Sequence, residues 1–200
     1  MSEPTTPGRE DRLGLFITVG VAALIAIGAL VTGISRLVEV LPGEDVPVQV
    51  SLEGENTMLD LGSEGGVTSV ALETGVVTVY EPSQTTMVAS IAEPIVATLA
   101  VVAGAAIAAL VLLRLARGTA LARRTHIPVY VLACVTLAGG LAVDLLGAVA
   151  ANSALQDLGG DDGFTFTVSL IPVVAALAIA AVGVAFESAF RLSKDTEGLV

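Results

Sequence analysis

Residues 13–35, LGLFITVGVAALIAIGALVTGIS, contain no charged side chain. An α-helix needs about 20 consecutive apolar residues to cross the hydrocarbon core of a bilayer, so this segment is long enough to span a membrane. Arg9 and Arg12 precede it. The apolar run is longer than that of an ordinary signal peptide, and no small-x-small cleavage motif follows it. We therefore expect a retained signal anchor.

Three further segments match the first in length. Each carries a single charged side chain: Glu93 in residues 87–113, Asp144 in residues 127–151 and Glu187 in residues 165–190. The sequence therefore predicts a mainly α fold, a four-helix transmembrane bundle. Small residues let helices approach closely in lipid, and we expect Gly139 and Gly140 to lie at such a contact.

The composition excludes several classes of protein. Of the 200 residues, 54% are hydrophobic and 14% charged, whereas soluble domains average about 25% charged residues. The net charge of −11 argues against direct nucleic-acid binding, because phosphate recognition needs a basic surface. The single cysteine, Cys134, and the single histidine, His126, exclude a disulfide framework and a His-Glu-x-x-His zinc site.

The charges predict the orientation, because basic residues concentrate in cytoplasmic loops. Eight of the nine basic residues fall in residues 1–12, 114–126 and 191–200, whereas twelve acids and one base fall in residues 36–86 and 152–164. We expect both termini to be cytoplasmic. Arginine outnumbers lysine eight to one, which indicates a GC-rich bacterial genome and hence the bacterial plasma (inner) membrane. The basic loop of residues 114–126 is a candidate interaction site through four arginines: Arg114, Arg117, Arg123 and Arg124.

Residues 36–86 predict a small extracytoplasmic β-rich insertion between helices 1 and 2. Apolar and polar residues alternate from Val46 to Leu52, and further strand patterns run through residues 67–72 and 76–80. We expect a meander of three strands, with a turn at residues 62–66. A unit of this size rarely folds alone, so it must pack on the membrane surface, on the helix ends or on another chain. Its nine acids either serve solvation or form a surface for divalent cations or a cationic partner.

Arg36, Glu93 and Asp144 form a candidate intramembrane polar cluster. Glu93 and Asp144 lie at similar depth in their helices, and Arg36 ends the first span on the same side. A buried carboxylate costs about 2.5–3.5 kcal/mol on insertion scales, so such groups face a partner or a hydrated cavity. Three interpretations remain open: pairing with Arg36, a cation or proton site in which two close carboxylates perturb each other, and shallow snorkelling.

The sequence predicts neither an enzyme nor a cofactor. His126 is alone on the cytoplasmic side beside Arg124 and Thr125, Cys134 lies in an apolar span, and no phosphate-binding loop is present. Glu187 stands four residues before Arg191, which stands four before Asp195, so the three alternate along one helical face. They indicate a cytoplasmic extension of the fourth helix.

The ending FRLSKDTEGLV, residues 190–200, follows Phe186 and Glu187 on the last helix. Together with the basic loop and the order of the spans, it resembles the DUF2975-type family of small four-transmembrane bacterial membrane proteins of unknown function. Some similar proteins are paired with small helix-turn-helix regulators. The resemblance therefore implies signalling or regulation.

Two functions remain open from the sequence. One is a non-enzymatic structural or regulatory membrane protein that acts through a partner, which would be a second copy of the chain or another membrane protein. The alternative is an oligomeric cation- or proton-coupled carrier that uses Glu93 and Asp144. Both require the lipid bilayer as the immediate surroundings of the helices.

Overall fold

The structure is a computed structural model. It describes residues 9–43, 45–51, 56–60, 67–71, 74–116, 126–159 and 168–197. Within this part the chain is mainly helical, with two small antiparallel sheets between the first and second helices. This order of elements confirms the predicted fold class at that level.

Four long helices dominate the chain: α1 (Arg9–Val40), α2 (Gln84–Ala116), α3 (His126–Asp157) and α4 (Ile171–Glu197). Each is long and apolar enough to cross a membrane. At 1.5 Å per residue, α1, α2 and α3 are about 48 Å long, which exceeds the about 30 Å of a hydrocarbon core. The predicted apolar segments in these three helices lie inside the observed bounds, while α4 begins six residues later than the predicted fourth segment.

All four helices expose large apolar side chains. One leucine from each illustrates this: Leu24 is 69% exposed, Leu99 63%, Leu145 53% and Leu177 66%. Many exposed large apolar side chains are unfavourable in water and are typical of a membrane or protein interface. The helices therefore have the surface that a lipid environment requires.

The β-rich segment has four strands: β1 (Asp45–Ser51), β2 (Asn56–Asp60), β3 (Val67–Ala71) and β4 (Thr74–Tyr80). β1 pairs with β4, and β2 pairs with β3, both antiparallel, so one pair is nested inside the other. The predicted three-strand meander is therefore wrong. Thr74 and Gly75, which lie between the second and third predicted strands, pair with Ser51 and Val50. The predicted turn at residues 62–66 lies outside the described residues.

The β1–β4 sheet has one buried and one exposed face. Val46, Val48, Val50 and Val79 are all at most 4% exposed, and they form one apolar cluster with Val40, Ala89, Ala150 and Ala154 of the helices. The sheet thus packs on the helix ends, one of the three supports that the sequence allowed. Val77 also packs against this cluster. Alternate residues along each strand point to opposite faces, so the side chains between these valines face away from the cluster.

A tight turn connects α1 to β1. Gly43 has a φ of +72°, and its N–H donates to the carbonyl of Val40, which ends the helix. This left-handed conformation favours glycine. A Cβ at Gly43 would lie 3.2 Å from Cε of Met87 on α2, so the turn also brings the chain close to the second helix.

The described residues fall into two compact units. The first comprises Met1–Ile34, Ile95–Val143 and Val168–Val200, and the second Ser35–Pro94 and Asp144–Thr167. In the first unit, the predicted close approach at two glycines is confirmed. A Cβ at Gly139 would lie 2.5 Å from that of Ala100, and one at Gly140 would overlap the ring of Pro172.

Candidate functional site

The predicted polar residues Arg36, Glu93 and Asp144 all belong to the second unit. The Arg36 guanidinium lies 3.7 Å from the carboxylate of Glu39, one turn along its own helix, and both side chains are about half exposed. Glu39, which was not among the predicted site residues, is thus the ion-pair partner of Arg36 in the described part of the chain. Pairing of Arg36 with Glu93 stays a prediction.

Glu93 points towards α3. A Cβ at Gly147 would lie 3.8 Å from three atoms of the Glu93 carboxyl group, so this glycine leaves space for the carboxyl group between the two helices. Gly147 lies about 15 Å from the end of α3 and Glu93 about 14 Å from the start of α2, at the helical rise of 1.5 Å per residue. Asp144 lies three residues before Gly147, about one helical turn further from the end of α3, and its side chain is partly exposed.

The two helices meet at a cluster of polar side chains, here called the helix-end cluster, formed by Ser83, Thr86, Ser153 and Asp157. Asp157 Oδ2 accepts hydrogen bonds from the Ser83 N–H at 2.9 Å and from the Thr86 hydroxyl at 2.7 Å. Ser83 Oγ lies 3.0 Å from Thr86 Oγ1 and 3.2 Å from Ser153 Oγ. Thr86 is fully buried, so these bonds satisfy a hydroxyl that water does not reach.

Asp157 also caps α2 electrostatically. Its carboxylate binds the N–H just before Gln84, where the helix leaves backbone donors unsatisfied and carries a partial positive charge. Desolvation by burial raises the pKa of Asp157, but hydrogen bonds from the Ser83 N–H and the hydroxyls of Thr86 and Ser83 outweigh it, so the pKa lies below its usual value. Asp157 lies six residues beyond the predicted apolar segment 127–151.

Ser90 lies between the helix-end cluster and Glu93 on α2. Thr86, Ser90 and Glu93 are spaced by four and three residues, which places them along one face of the helix. Ser90 is 7% exposed, and its Oγ has no hydrogen-bond partner. In contrast, Thr18 and Thr136 donate their hydroxyls to the carbonyl four residues earlier, each at 2.9 Å.

A separate groove of about 650 Å³ lies in the first unit, beside α3 and α4. Its lining includes His126, Ile127, Tyr130, Val131, Cys134 and Glu187. The Tyr130 hydroxyl donates to Glu187 at 3.5 Å, and Arg191 forms an ion pair with Glu187 at 2.6 Å. The predicted pairing of Glu187 with Arg191 is therefore confirmed.

His126, which the sequence analysis left without a partner, packs edge-on to Tyr130 with ring centroids 6.1 Å apart. Cys134 follows Tyr130 by one helical turn and is exposed. The spacing of His126, Tyr130 and Cys134 at every fourth residue was the signal available for this groove. Within the described residues, no group of three or more His, Cys, Asp or Glu side chains could hold a metal ion.

Of the four arginines of the basic loop, one lies in the described part of the chain. Arg114, near the end of α2, is exposed, whereas Arg117, Arg123 and Arg124 lie outside the described residues.

Comparison with models of protein families, with curated proteins and with solved structures found no match to this chain.

Proposed function

We propose that this chain is a non-enzymatic integral protein of the bacterial plasma membrane that acts structurally or as a regulator by binding a partner. The four apolar helices with lipid-compatible surfaces support the membrane placement. The distribution of basic residues supports cytoplasmic termini, with the β-rich segment on the opposite side. The resemblance of the C-terminal segment to DUF2975-type proteins agrees with a regulatory role.

The observation that carries partner binding is the exposed face of the β1–β4 sheet. Five of its side chains are exposed: Asp45, Gln49, Val76, Thr78 and Tyr80. Val76 is 68% exposed and Tyr80 72%, although the sheet already buries its valine face on the helices. Tyrosine is enriched among the residues that contribute most of the binding energy at protein interfaces.

The acids around this face indicate the chemistry of the partner. Asp45 and Tyr80 are cross-strand partners, and Glu81 follows Tyr80 directly. Residues 36–86 carry nine acids and one base. A complementary surface would therefore offer basic groups around an apolar centre, since complementary charge favours association and selects against wrong partners. A cationic protein segment fits this description better than a divalent cation does.

Photo-crosslinking from defined positions on the sheet tests this function. A photoreactive residue at Val76 or Tyr80 should crosslink to a stoichiometric partner in intact membranes, whereas the same residue at Val77, on the buried face, should crosslink only within the chain. The double variant Val76→Ser, Tyr80→Ser should lose the partner during gentle solubilisation while the chain stays monodisperse. A wild-type chain that remains solitary in membranes and in detergent would overturn the proposal.

A second function, an oligomeric cation- or proton-coupled carrier, is favoured by the position of Glu93. Its carboxyl group faces Gly147 of α3, beside a polar stripe that reaches the helix-end cluster. Four spanning helices in one chain are few for a carrier, so several copies would have to assemble. Transport in reconstituted vesicles should then be lost in the double variant Glu93→Gln, Asp144→Asn, and its survival would eliminate this function.

A further inference from the structure

Ser90 and Pro94 leave two oxygen atoms beside Glu93 without their usual hydrogen bonds. The Ser90 hydroxyl is buried and has no partner. Pro94 lies inside α2 and has no N–H, so the carbonyl of Ser90 lacks the helical hydrogen bond from four residues ahead. Buried polar groups are costly unless they are paired, and a proline in a spanning helix is tolerated where side chains or water satisfy the freed backbone group.

The side of α3 that faces these oxygens is lined by small residues. Glu93 faces Gly147, and Asp157 contacts Ser83 and Thr86, so the two antiparallel helices place Ala150 level with Ser90. Ala150 is 2% exposed and has no polar side-chain atom. The charged side chains on the neighbouring elements are Arg36 on α1, which acts on Glu93 electrostatically, and Asp144, three residues before Gly147 on α3.

Hydroxyl groups lie along one face of α2 between the helix-end cluster and this position. Thr86 bonds to Asp157 and lies one helical turn before Ser90, which in turn lies one turn before Glu93. A hydroxyl both donates and accepts hydrogen bonds, so it can pass a proton along such a line with a bridging water. Asp157, an exposed acid, stands at the beginning of the line.

We propose that Glu93 is a proton-binding site, reached from the helix-end cluster through the hydroxyls of Thr86 and Ser90. In this exchange a proton passes from water at the cluster to the Glu93 carboxylate, forming an O–H bond there while each relay hydroxyl regains the proton it gives up. The protonated carboxyl then donates to an oxygen of Ser90. The inference rests on the proposed membrane placement and supplies the ligand for the carrier function, but it is independent of partner binding.

The number of oxygens favours a proton over a metal ion. Ser90 offers a hydroxyl and a carbonyl, and Glu93 offers a carboxylate, whereas hard cations such as Ca²⁺ and Mg²⁺ take six or more oxygen ligands. Ala150 and the glycine at residue 147 contribute no side-chain oxygen on the opposite side. A proton needs only one acceptor and one neighbouring oxygen, which this arrangement provides.

Carbodiimide labelling of the full chain in lipid nanodiscs tests the proposal. Dicyclohexylcarbodiimide modifies protonated carboxyl groups in apolar surroundings, so the labelling rate reports the protonated form. We expect peptide mass spectrometry to locate the label at Glu93, with a rate that falls as the pH rises from 5 to 9. Glu93→Gln should abolish this labelling, and Asp144→Asn should retain it.

A matched pair of hydroxyl variants tests the relay. Ser90→Ala should shift the midpoint pH of labelling, whereas Thr136→Ala, which removes a helical hydroxyl that already has a partner, should leave it unchanged. If a variant fails to fold, the position of the label in the wild-type chain still decides whether Glu93 is the protonated carboxyl group. Labelling at Asp144 alone, labelling that is independent of pH, identical effects of the two hydroxyl variants, or protection by Na⁺ at constant pH would each overturn the proposal.

The carbodiimide labelling experiment measures neither transport nor partner binding. A chain that labels at Glu93 with the expected pH dependence but transports nothing would retain the proton site and lose the carrier function. A chain that fails to label but binds a partner would lose the proton site alone.

Discussion

At the scale of single residues, Asp157 connects two helices that are far apart in sequence. Its carboxylate accepts from the backbone of Ser83, 74 residues away, and from the buried hydroxyl of Thr86. An acid at a helix N-terminus gains both from hydrogen bonds and from the helix dipole. The two contacts make Asp157 a structural residue.

Replacing Asp157 tests this role. We expect Asp157→Ala to lower the free energy of unfolding by about 1–2 kcal/mol, because two hydrogen bonds to a charged group are lost at the surface. The matched control Gln156→Ala, one residue earlier and also exposed, should have little effect. Thermal denaturation of both variants in the same detergent checks the difference, and equal midpoints would contradict the assignment.

The same carboxylate predicts a dependence on pH. The pKa of Asp157 is lowered in the folded chain, so its stabilisation is fully present above the ordinary aspartate range and is lost as the pH falls through that range. The difference in thermal midpoint between wild type and Asp157→Asn should therefore shrink on acidification from pH 7 to pH 3. A constant difference over this interval would show that the charge plays no part.

Sequence reasoning reached some of these residues and missed others. The ion pair of Glu187 with Arg191 follows from a spacing of four residues on one helix, and Glu93 is conspicuous as the single charge of an apolar segment. The role of Asp157 depends on a partner in another helix, and the missing partner of Ser90 depends on packing. Neither property is encoded in a local pattern, so the sequence could not predict them.

At the scale of elements, the helices were predictable and the strand pairing was not. A run of about 20 apolar residues selects a helix locally, because every backbone group must be paired within the segment in lipid. Strand partners are chosen by non-local contacts: the valines of β1 and β4 share a buried face, which pairs the first strand with the last. β2 escaped prediction because Asn56 and Asp60 are residue types that are rare in strands.

Helix contacts at glycine offer a test at this scale. Gly139 abuts Ala100, so Gly139→Leu should reduce the free energy of unfolding by about 1–3 kcal/mol through overpacking. Gly20→Leu is the matched control, since a Cβ at Gly20 meets no atom within 4 Å. Thermal unfolding of the two variants in lipid nanodiscs should separate them, with a lower midpoint for Gly139→Leu alone. Similar midpoints would contradict a close contact at Gly139.

At the scale of the whole molecule, the net charge of −11 is unevenly distributed along the chain. Residues 36–86 and 152–164 carry twelve acids and one base, while residues 1–12, 114–126 and 191–200 carry five acids and eight bases. Under the positive-inside rule, the segments that carry most of the basic residues lie on the cytoplasmic side of the membrane. The basic residues thus predict the orientation, and that prediction places the exposed face of the β1–β4 sheet on the extracytoplasmic side.

Accessibility of single cysteines checks this orientation. In a Cys134→Ser background, Thr78→Cys on the exposed sheet face should react with a membrane-impermeant maleimide in intact spheroplasts. Ser193→Cys, near the C-terminus, should react only after the membrane is permeabilised. The opposite pattern would invert the topology and place the acidic segment in the cytoplasm, where a partner outside the cell could not reach Val76 and Tyr80. The predicted topology places residues 78 and 193 on opposite sides of the membrane. Equal labelling of both cysteines before permeabilisation would contradict it.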